Sequence, residues 1–358
     1  MPQLVSPLPE GPLDIIGDVH GELAALDRLL ARLGCDPHAG RAERPLIFVG
    51  DLVDRGPDSP GVVRRVHQLA EAGLAWCVAG NHELNLLMDE AKEGNGWFFG
   101  HDDAYPWRRT GGVERRPFDS EPVTDLQERA DLRSFLAGLP LALERPDLRV
   151  VHACWDAAGL SALPDQGDLA PLARSYQAAL QAELVARGDL QRSRAERAAF
   201  ADLRDPEVRP DVDLPGMRAV SLAQQARNPL KVLTSGQEEA IDAERFFYVG
   251  GKWRVVQRSR WWSSYRDEAA VVVGHYWRRR GTSDPEKHDL WDEVPPFGWA
   301  GPRGNVFCVD YSVGRRFVER WGGSTRFAGG LAALRWPERV LVFDDREEPV
   351  ETTGFGGR

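Results

Sequence analysis

The feature that most constrains this chain is a set of three short strings: Gly17-Asp18-Val19-His20-Gly21, Gly50-Asp51-Leu52-Val53-Asp54-Arg55-Gly56 and Gly80-Asn81-His82-Glu83. Each closes an apolar run, at 13–16, 45–49 and 74–79. A short apolar run closed by glycine reads as a buried strand ending in a turn. Between the strings lie helical patterns, one with leucines at 23, 26, 29, 30 and 33 and a second over 61–72. The strings are spaced by about 30 residues, the length of one βαβ unit. The first 90 residues therefore alternate strand and helix, the pattern of an α/β sheet with parallel strands. In such sheets the binding crevice lies beyond the carboxyl ends of the strands. All three strings sit at those ends, so their polar side chains are expected to converge on one rim.

Further strands are predicted at 148–151, ending at His152, at 270–273, ending at Gly274-His275, and at 305–309, ending at Asp310. The close is β-rich, at 330–335 and 339–343. Residues 94–122 read as an irregular excursion. Residues 171–200 read as a helical insertion striped by Leu172, Tyr176, Leu180 and Leu184, and 202–229 as proline-rich and poorly periodic. The expectation is an α/β (α+β) chain of one domain, 1–358. Segments 91–147 and 156–265 would be insertions or cap segments, and 347–358 a loose tail.

Composition narrows the function. The 358 residues carry a formal net charge of −10. That argues against bulk nucleic-acid binding through a basic face. It leaves an anionic substrate open, because a pair of dications reverses the local field. No apolar stretch has the length of a membrane span, and no basic segment followed by an apolar core marks a signal peptide. Cys35, Cys77, Cys154 and Cys308 are scattered; the last three lie in apolar runs and read as buried thiols. A cytoplasmic protein without disulfides is expected. Oligomeric state has no signal in the sequence.

The residue types at the rim suit one chemistry. Hydrolysing a phosphate ester near neutral pH needs a strong nucleophile and charge to neutralise the phosphate. Two cations supply both, as a metal-activated hydroxide and a clamp on the phosphate oxygens. Such a site needs a bridging carboxylate, hard oxygen ligands and neutral imidazoles. Asp18 and His20, at i and i+2, leave an extended segment on one side. Asp51 is the natural bridge, Asn81 offers a neutral oxygen, and His152 and His275 end later strands. His82 follows Asn81 and can face substrate, with Asp54 placed to orient its imidazole. Arg55 can hold a phosphate through its planar fork.

These strings, with His152 and Gly274-His275, resemble the phosphoprotein phosphatase family of calcineurin-like metallophosphoesterases. The closing segment, with Asp310 and Gly329-Gly330-Leu331-Ala332-Ala333-Leu334-Arg335, resembles its bacterial branch of serine/threonine phosphatases and symmetrical diadenosine tetraphosphatases. The resemblance is tight over 13–90 and appears as isolated blocks at 148–155, 270–277 and 305–343. It implies a four-layer fold, a central β-sandwich of mixed sheets flanked by helices. It implies Asp18, His20 and Asp51 on one metal, and Asp51, Asn81, His152 and His275 on the other. His82 would be the general acid, backed by Asp54. Arg55 and Asn81 would meet the substrate. Manganese is the first choice of metal; iron, zinc, nickel and cobalt are alternatives. A second phosphate-binding arginine is expected before the last histidine, among Arg258, Arg260 and Arg266, with Arg260 chosen. Asp310-Tyr311-Ser312 departs from the Asp-Thr-Gly of the bacterial branch, and the eukaryotic Ser-Ala-Pro-Asn-Tyr signature is absent.

The reading placed first is a phosphomonoesterase of the serine/threonine protein phosphatase type. Alternatives are a dinucleoside polyphosphate hydrolase, a phosphatase of RNA ends or cyclic nucleotides, and a binding protein on a decayed site. The last is disfavoured because bridge, acid and arginine are all present. His38, His67, His288 and the His101-Asp102-Asp103 cluster read as ordinary loop or helix residues. Arg278-Arg279-Arg280 reads as a solvated turn or an attractor of anions. Trp253, Trp261, Trp262 and Trp277 read mostly as core, with base stacking as the other use.

Overall fold

The computed structural model describes residues 1–92, 94–100, 119–200, 203, 205–249, 252–281 and 290–357. His101, Asp102, Asp103 and His288 lie outside them. Two mixed sheets face each other. The first comprises β2 (Leu13–Ile16), β3 (Leu46–Phe48), β4 (Ala75–Cys77), β13 (Ala332–Trp336), β14 (Val340–Phe343) and β15 (Val350–Glu351). Its order is β15-β14-β13-β2-β3-β4, with β2, β3 and β4 parallel and β13 antiparallel to β2. The second comprises β1 (Val5–Pro7), β5 (Ala142–Arg145), β6 (Leu148–Val151), β11 (Ala270–Val273) and β12 (Val306–Cys308), in the order β1-β5-β6-β11-β12.

Strand alternation builds the layers. Leu13, Ile15 and Ile47 turn into the space between the sheets, where they meet Leu143, Val150, Val272 and Phe307. Ile16, Leu46 and Phe48 turn the other way. They share a cluster with the buried stripe Leu26, Leu29 and Leu30 of α1 (Leu23–Arg32) and with Val62, Val63 and Val66 of α2 (Ser59–Glu71). α2 starts where the sequence signals it: Asp58 caps the Gly61 N–H at 2.7 Å, and Pro60 occupies the first turn. The result is a β-sandwich covered by helices.

α3 (Asn81–Leu87) and α4 (Gly96–Phe99) follow the third string, and α5 (Leu126–Ala137) leads into β5. Segment 91–147 is therefore not wholly an insertion, because β5 is an inner strand of the second sheet. From 157 onward the chain leaves the sandwich. It forms α6 (Ala157–Ala162), α7 (Leu169–Ala186), α8 (Asp189–Ala199), α9 (Pro215–Ala226) and α10 (Pro229–Ser235). Two small hairpin pairings follow: β7 (Glu238–Ala240) with β10 (Val256–Arg258), and β8 (Phe247–Val249) with β9 (Lys252–Arg254). The cap has its own core around Leu214, Met217, Ile241, Phe246 and Trp253. α9 overturns the expectation of irregular chain at 202–229: its proline stands at the first helical position, where no hydrogen bond is lost.

The tail is also better tied than expected. β15 pairs with β14, and the Phe355 ring packs 4.8 Å from that of Trp299. α11 (Arg316–Trp321) precedes β13. All four cysteines are buried free thiols. Among the described residues no helix is long and apolar enough to cross a membrane.

Candidate functional site

The rim of the sandwich gathers the residues that the strings separate. Asp18 follows β2, Asp51 follows β3, Asn81 opens α3 after β4, His152 follows β6 and His275 follows β11. Asp51 sits at the centre. Its Oδ2 lies 3.3 Å from His152 Nε2, 3.8 Å from His20 Nε2 and 3.9 Å from His82 Nε2. Asp18 Oδ2 is 3.8 Å from the same His20 nitrogen, and Asp18 accepts the His275 N–H at 3.1 Å. Candidate ligand atoms of His20, Asp51 and His82 lie within 4.8 Å of one another, as do those of Asp51, His152 and His275.

The backbone is bent to achieve this. His20, Asp51, Asp54, Arg55 and His275, with Trp277 and Ser312 beside them, all have positive φ, between 41° and 72°. Left-handed non-glycine residues are uncommon and concentrate where a site over-determines the chain. Close approach is equally demanding: a Cβ on Gly274 would collide with the Asp18 carboxylate, and one on Gly80 with that of Asp51.

The hydrogen bonds fix which nitrogens are free. His20 Nδ1 donates to the Val53 carbonyl at 3.1 Å and His152 Nδ1 to the Val49 carbonyl at 2.7 Å. His20, neutral and so held, turns its Nε2 lone pair toward the Asp18 and Asp51 carboxylates, acceptor against acceptor. Asn81 repeats the pattern. With its nitrogen turned inward the amide donates to His275 Nδ1 at 2.8 Å and to the Thr234 carbonyl at 3.2 Å. With its oxygen inward, two acceptors face each other. A cation between such pairs satisfies both, so the donor set fits divalent metal ions that these residues would hold. His275 Nε2 is buried without a partner among the described residues.

Charge tells the same story. Burial raises the Asp51 carboxyl, but His152, His82 and His20 pull it well below its ordinary range. Burial, then Asp310 and Asp51, pushes Asp18 well up. His152 is lifted to about 10, burial opposing, by Asp51 and Asp18. His20 is lowered by burial, Arg55 and His82, and His275 by burial, Arg258 and His152. The site favours a positive charge at His152 in spite of burying it.

His82 is held differently. Its Nδ1 lies 2.6 Å from Asp54 Oδ2, and Asp54 Oδ1 accepts from Trp97 Nε1 at 2.8 Å. Its Nε2 is 3.3 Å from Arg55 Nη2. Arg55 Nη1 donates to His20 Nε2 at 2.8 Å, the lone pair a cation would use, so the two are exclusive partners. The Arg55 guanidinium lies 4.8 Å from the ring of Trp277, which is 42% exposed at the mouth of the site. Trp253, Trp261 and Trp262 are buried, so Trp277 is the tryptophan of that group left for a ligand.

Two sequence expectations change. Arg260 is held 2.9 Å from Glu293. Arg258, named beside it, is the arginine whose charge bears on His275, with its guanidinium 5.9 Å over the Tyr276 ring. The 278–280 turn is no solvated attractor. Arg278 is buried between the rings of Trp291 and Phe307, 4.9 and 5.0 Å away, and donates to the Pro295 and Gly298 carbonyls at 2.6 and 3.0 Å. Arg280 pairs with Asp345. Asp310 accepts from the Trp277 and Ser312 N–H groups at 2.9 and 2.8 Å, so it shapes the His275 loop.

Glu83 was quoted in the third string without a role. Its carboxylate accepts from the N–H groups of Asp51, Leu52 and Gly80, each at 2.8 Å, and ties two strand ends together. Burial and Asp51 lift it to about 7.

Residues 11–151 match the family described as Calcineurin-like phosphoesterase. The asymmetrical bis(5'-nucleosyl)-tetraphosphatase PrpE of Oceanobacillus iheyensis is 47% identical over 74 residues, 20% of this chain and 30% of that protein. The symmetrical bis(5'-nucleosyl)-tetraphosphatase of Thioalkalivibrio sulfidiphilus is 34% identical over 175 residues, 48% of this chain and 52% of that protein. The chain spans about half or less of the length of these curated relatives. A cold-active protein-tyrosine phosphatase of a psychrophilic Shewanella superposes with a TM-score of 0.46 at 15% identity, covering 98% of this chain and 83% of that one.

Proposed function

We propose, on the match of residues 11–151 to the calcineurin-like phosphoesterase family, that the chain is a metal-dependent phosphoesterase that hydrolyses dinucleoside polyphosphates of the diadenosine tetraphosphate kind. The observation that carries the hydrolase reading is the single Asp51 oxygen facing three imidazole nitrogens within 3.9 Å. The substrate class draws on the names of the relatives and on Trp277, an exposed aromatic face beside Arg55 on which a base can stack. The phosphoprotein reading that the motifs placed first becomes the second reading.

Asp18, His20 and Asp51 would hold one divalent cation, and Asp51, Asn81, His152 and His275 the other. When bound, such a pair makes water acidic enough to attack and neutralises phosphate oxygens; manganese is the proposed occupant. Arg55 forks onto the phosphate, with Trp277 supporting its guanidinium. Arg258 gives a second charge on the same side. His82, as the imidazolium with Asp54 accepting from its Nδ1–H, passes the Nε2 proton to the departing oxygen, and Trp97 fixes Asp54 in place.

The test is a turnover panel with manganese, iron, zinc, nickel and cobalt. Diadenosine tetraphosphate, a phosphoserine peptide, a cyclic nucleotide and p-nitrophenyl phosphate are compared by kcat/KM. Preference for the tetraphosphate supports the proposal; preference for the phosphopeptide returns the protein phosphatase reading. Loss of all activity in chelator, restored by one metal, is expected.

A further inference from the structure

The cap presents an unusual set of charges. Along 252–258, Trp253, Val255 and Val256 belong to the apolar core with Leu214 and Phe246. Lys252, Arg254 and Arg258 are left off that core: Lys252 and Arg258 are exposed and Arg254 partly so. Arg258 reaches over Tyr276, the neighbour of His275. Lys231 stands on α10, one turn before Thr234, whose carbonyl lies against the Asn81 amide. Lys231, Lys252, Arg254 and Arg258 form no ion pair among the described residues.

The cations are neighbours. Arg258 feels the charges of Glu238, Arg254 and Arg55, and Lys252 those of Arg254, Arg197, Lys92 and Glu238. Glu238, opposite Arg258 in the β7–β10 register, is the carboxylate among them; burial raises it, while Arg254, Arg258, Lys252 and Lys231 all pull it down. Four cations around one carboxylate leave like charges that repel, and in a chain of net charge −10 they are not a general excess of base. A cluster of this kind is stabilised by a polyanion lying against it.

Resting on the phosphoesterase reading above, we propose that Lys231, Lys252 and Arg254 extend the phosphate site at Arg55 and Arg258 into a polyphosphate subsite on the cap. It would take the phosphates of the substrate beyond the one being hydrolysed. A single phosphomonoester needs no such cluster, and a nucleic acid would meet the acidic remainder of the surface.

The experiment is the double variant Lys252→Gln/Arg254→Gln. With manganese, its kcat/KM on diadenosine tetraphosphate should fall about tenfold or more, while p-nitrophenyl phosphate changes less than about twofold. In chelator, calorimetry with inorganic tripolyphosphate should show about the same tenfold loss of affinity, recovered by Lys252→Arg/Arg254→Lys. Equal losses on both substrates, or unchanged tripolyphosphate binding, overturn the subsite. A wild-type protein that hydrolyses p-nitrophenyl phosphate and not the tetraphosphate also overturns it, with the phosphoesterase reading intact. Failure on every phosphoester removes that reading instead, and tripolyphosphate binding then decides the subsite alone.

Discussion

Asp51→Asn is the substitution whose consequences the site fixes most tightly. Asp51 Oδ2 is 3.3 Å from His152 Nε2, and with Asp18 it holds that imidazolium, against burial, up to about 10. At pH 8 the metal-free protein therefore carries a proton on His152, and a cation that takes Nε2 must displace it. Two pH units below the pKa, at ~1.36 kcal/mol per unit, the displacement costs about 2.7 kcal/mol. Manganese binding at pH 8 should release at least one proton, and apparent affinity should rise about tenfold per pH unit between roughly 7 and 9. In the variant, burial opposes the remaining pull of Asp18, and His152 falls from about 10 toward its ordinary value. Proton release falls by about one, and metal affinity falls by more than the roughly 10–100-fold typical of losing an outer partner. The sign extends to stability. A raised imidazole stabilises the metal-free fold fully below its unfolded value of about 6.5, and the contribution is lost as pH rises toward about 10. Two measurements check this: an NMR titration of the His152 ring in chelator, and manganese calorimetry in two buffers of different ionisation enthalpy. A wild-type His152 that titrates at or below 6.5, or manganese binding at pH 8 without proton release, refutes the reasoning.

His82→Ala should slow hydrolysis of a phosphoserine peptide by ~10²–10⁴-fold and of p-nitrophenyl phosphate far less, because a nitrophenolate leaves without a proton; equal losses remove the acid role. Asp14, buried on β2 with neither carboxyl oxygen hydrogen-bonded, is lifted by burial to about 6, with Arg335 pulling the other way. A raised acid binds its proton more tightly when folded, so stability falls as pH rises from about 4 to 6, by about 3 kcal/mol. Asp14→Asn should raise the urea midpoint at pH 8 and leave it unchanged near pH 4; a gain confined to low pH contradicts the sign. Arg278→Met strands the carbonyls of Pro295 and Gly298 and should destabilise by about 2–5 kcal/mol, with weaker manganese binding through the His275 loop. Arg278→Lys should recover part of both, read by thermal melting and by calorimetry.

What the sequence made legible was local. Leu13 to Ile16 followed by glycine is a buried strand wherever it occurs, and Asp58 with Pro60 starts a helix without help from the rest of the chain. The strand ends therefore came out of the sequence, and with them the residues that the structure brings around Asp51. β1 and β5 were missed because short segments without strict alternation become strands only when a sheet edge receives them. α9 was missed because prolines hide a helix that begins on one. Arg258 and Arg260 share a side of a regular strand, and only the turn at Trp261 separates them, sending Arg260 to Glu293. Glu83 is in plain view in the third string. Its role depends on N–H groups of Asp51 and Leu52, thirty residues upstream, that exist as a cluster only after folding.

The charge balance of the chain then has a physical reading. Asp18, Asp51, Asp54, Glu83 and Asp310 are all buried at the site, and each is engaged by an imidazole, an indole or backbone N–H groups. Their negative charge is turned inward, toward His152 and toward the cations the ligand set fits, and away from an incoming phosphate. Arg55 and Arg258 lie beside that centre, over Trp277 and Tyr276, and the cations of the cap gather near Arg258 around Glu238. An anion approaching the acidic protein is attracted along this route. Raising salt should therefore weaken tetraphosphate turnover more steeply than p-nitrophenyl phosphate turnover, since the long anion crosses more of the route. Equal salt slopes for the two substrates would mean that the cap charges play no part in bringing the substrate in.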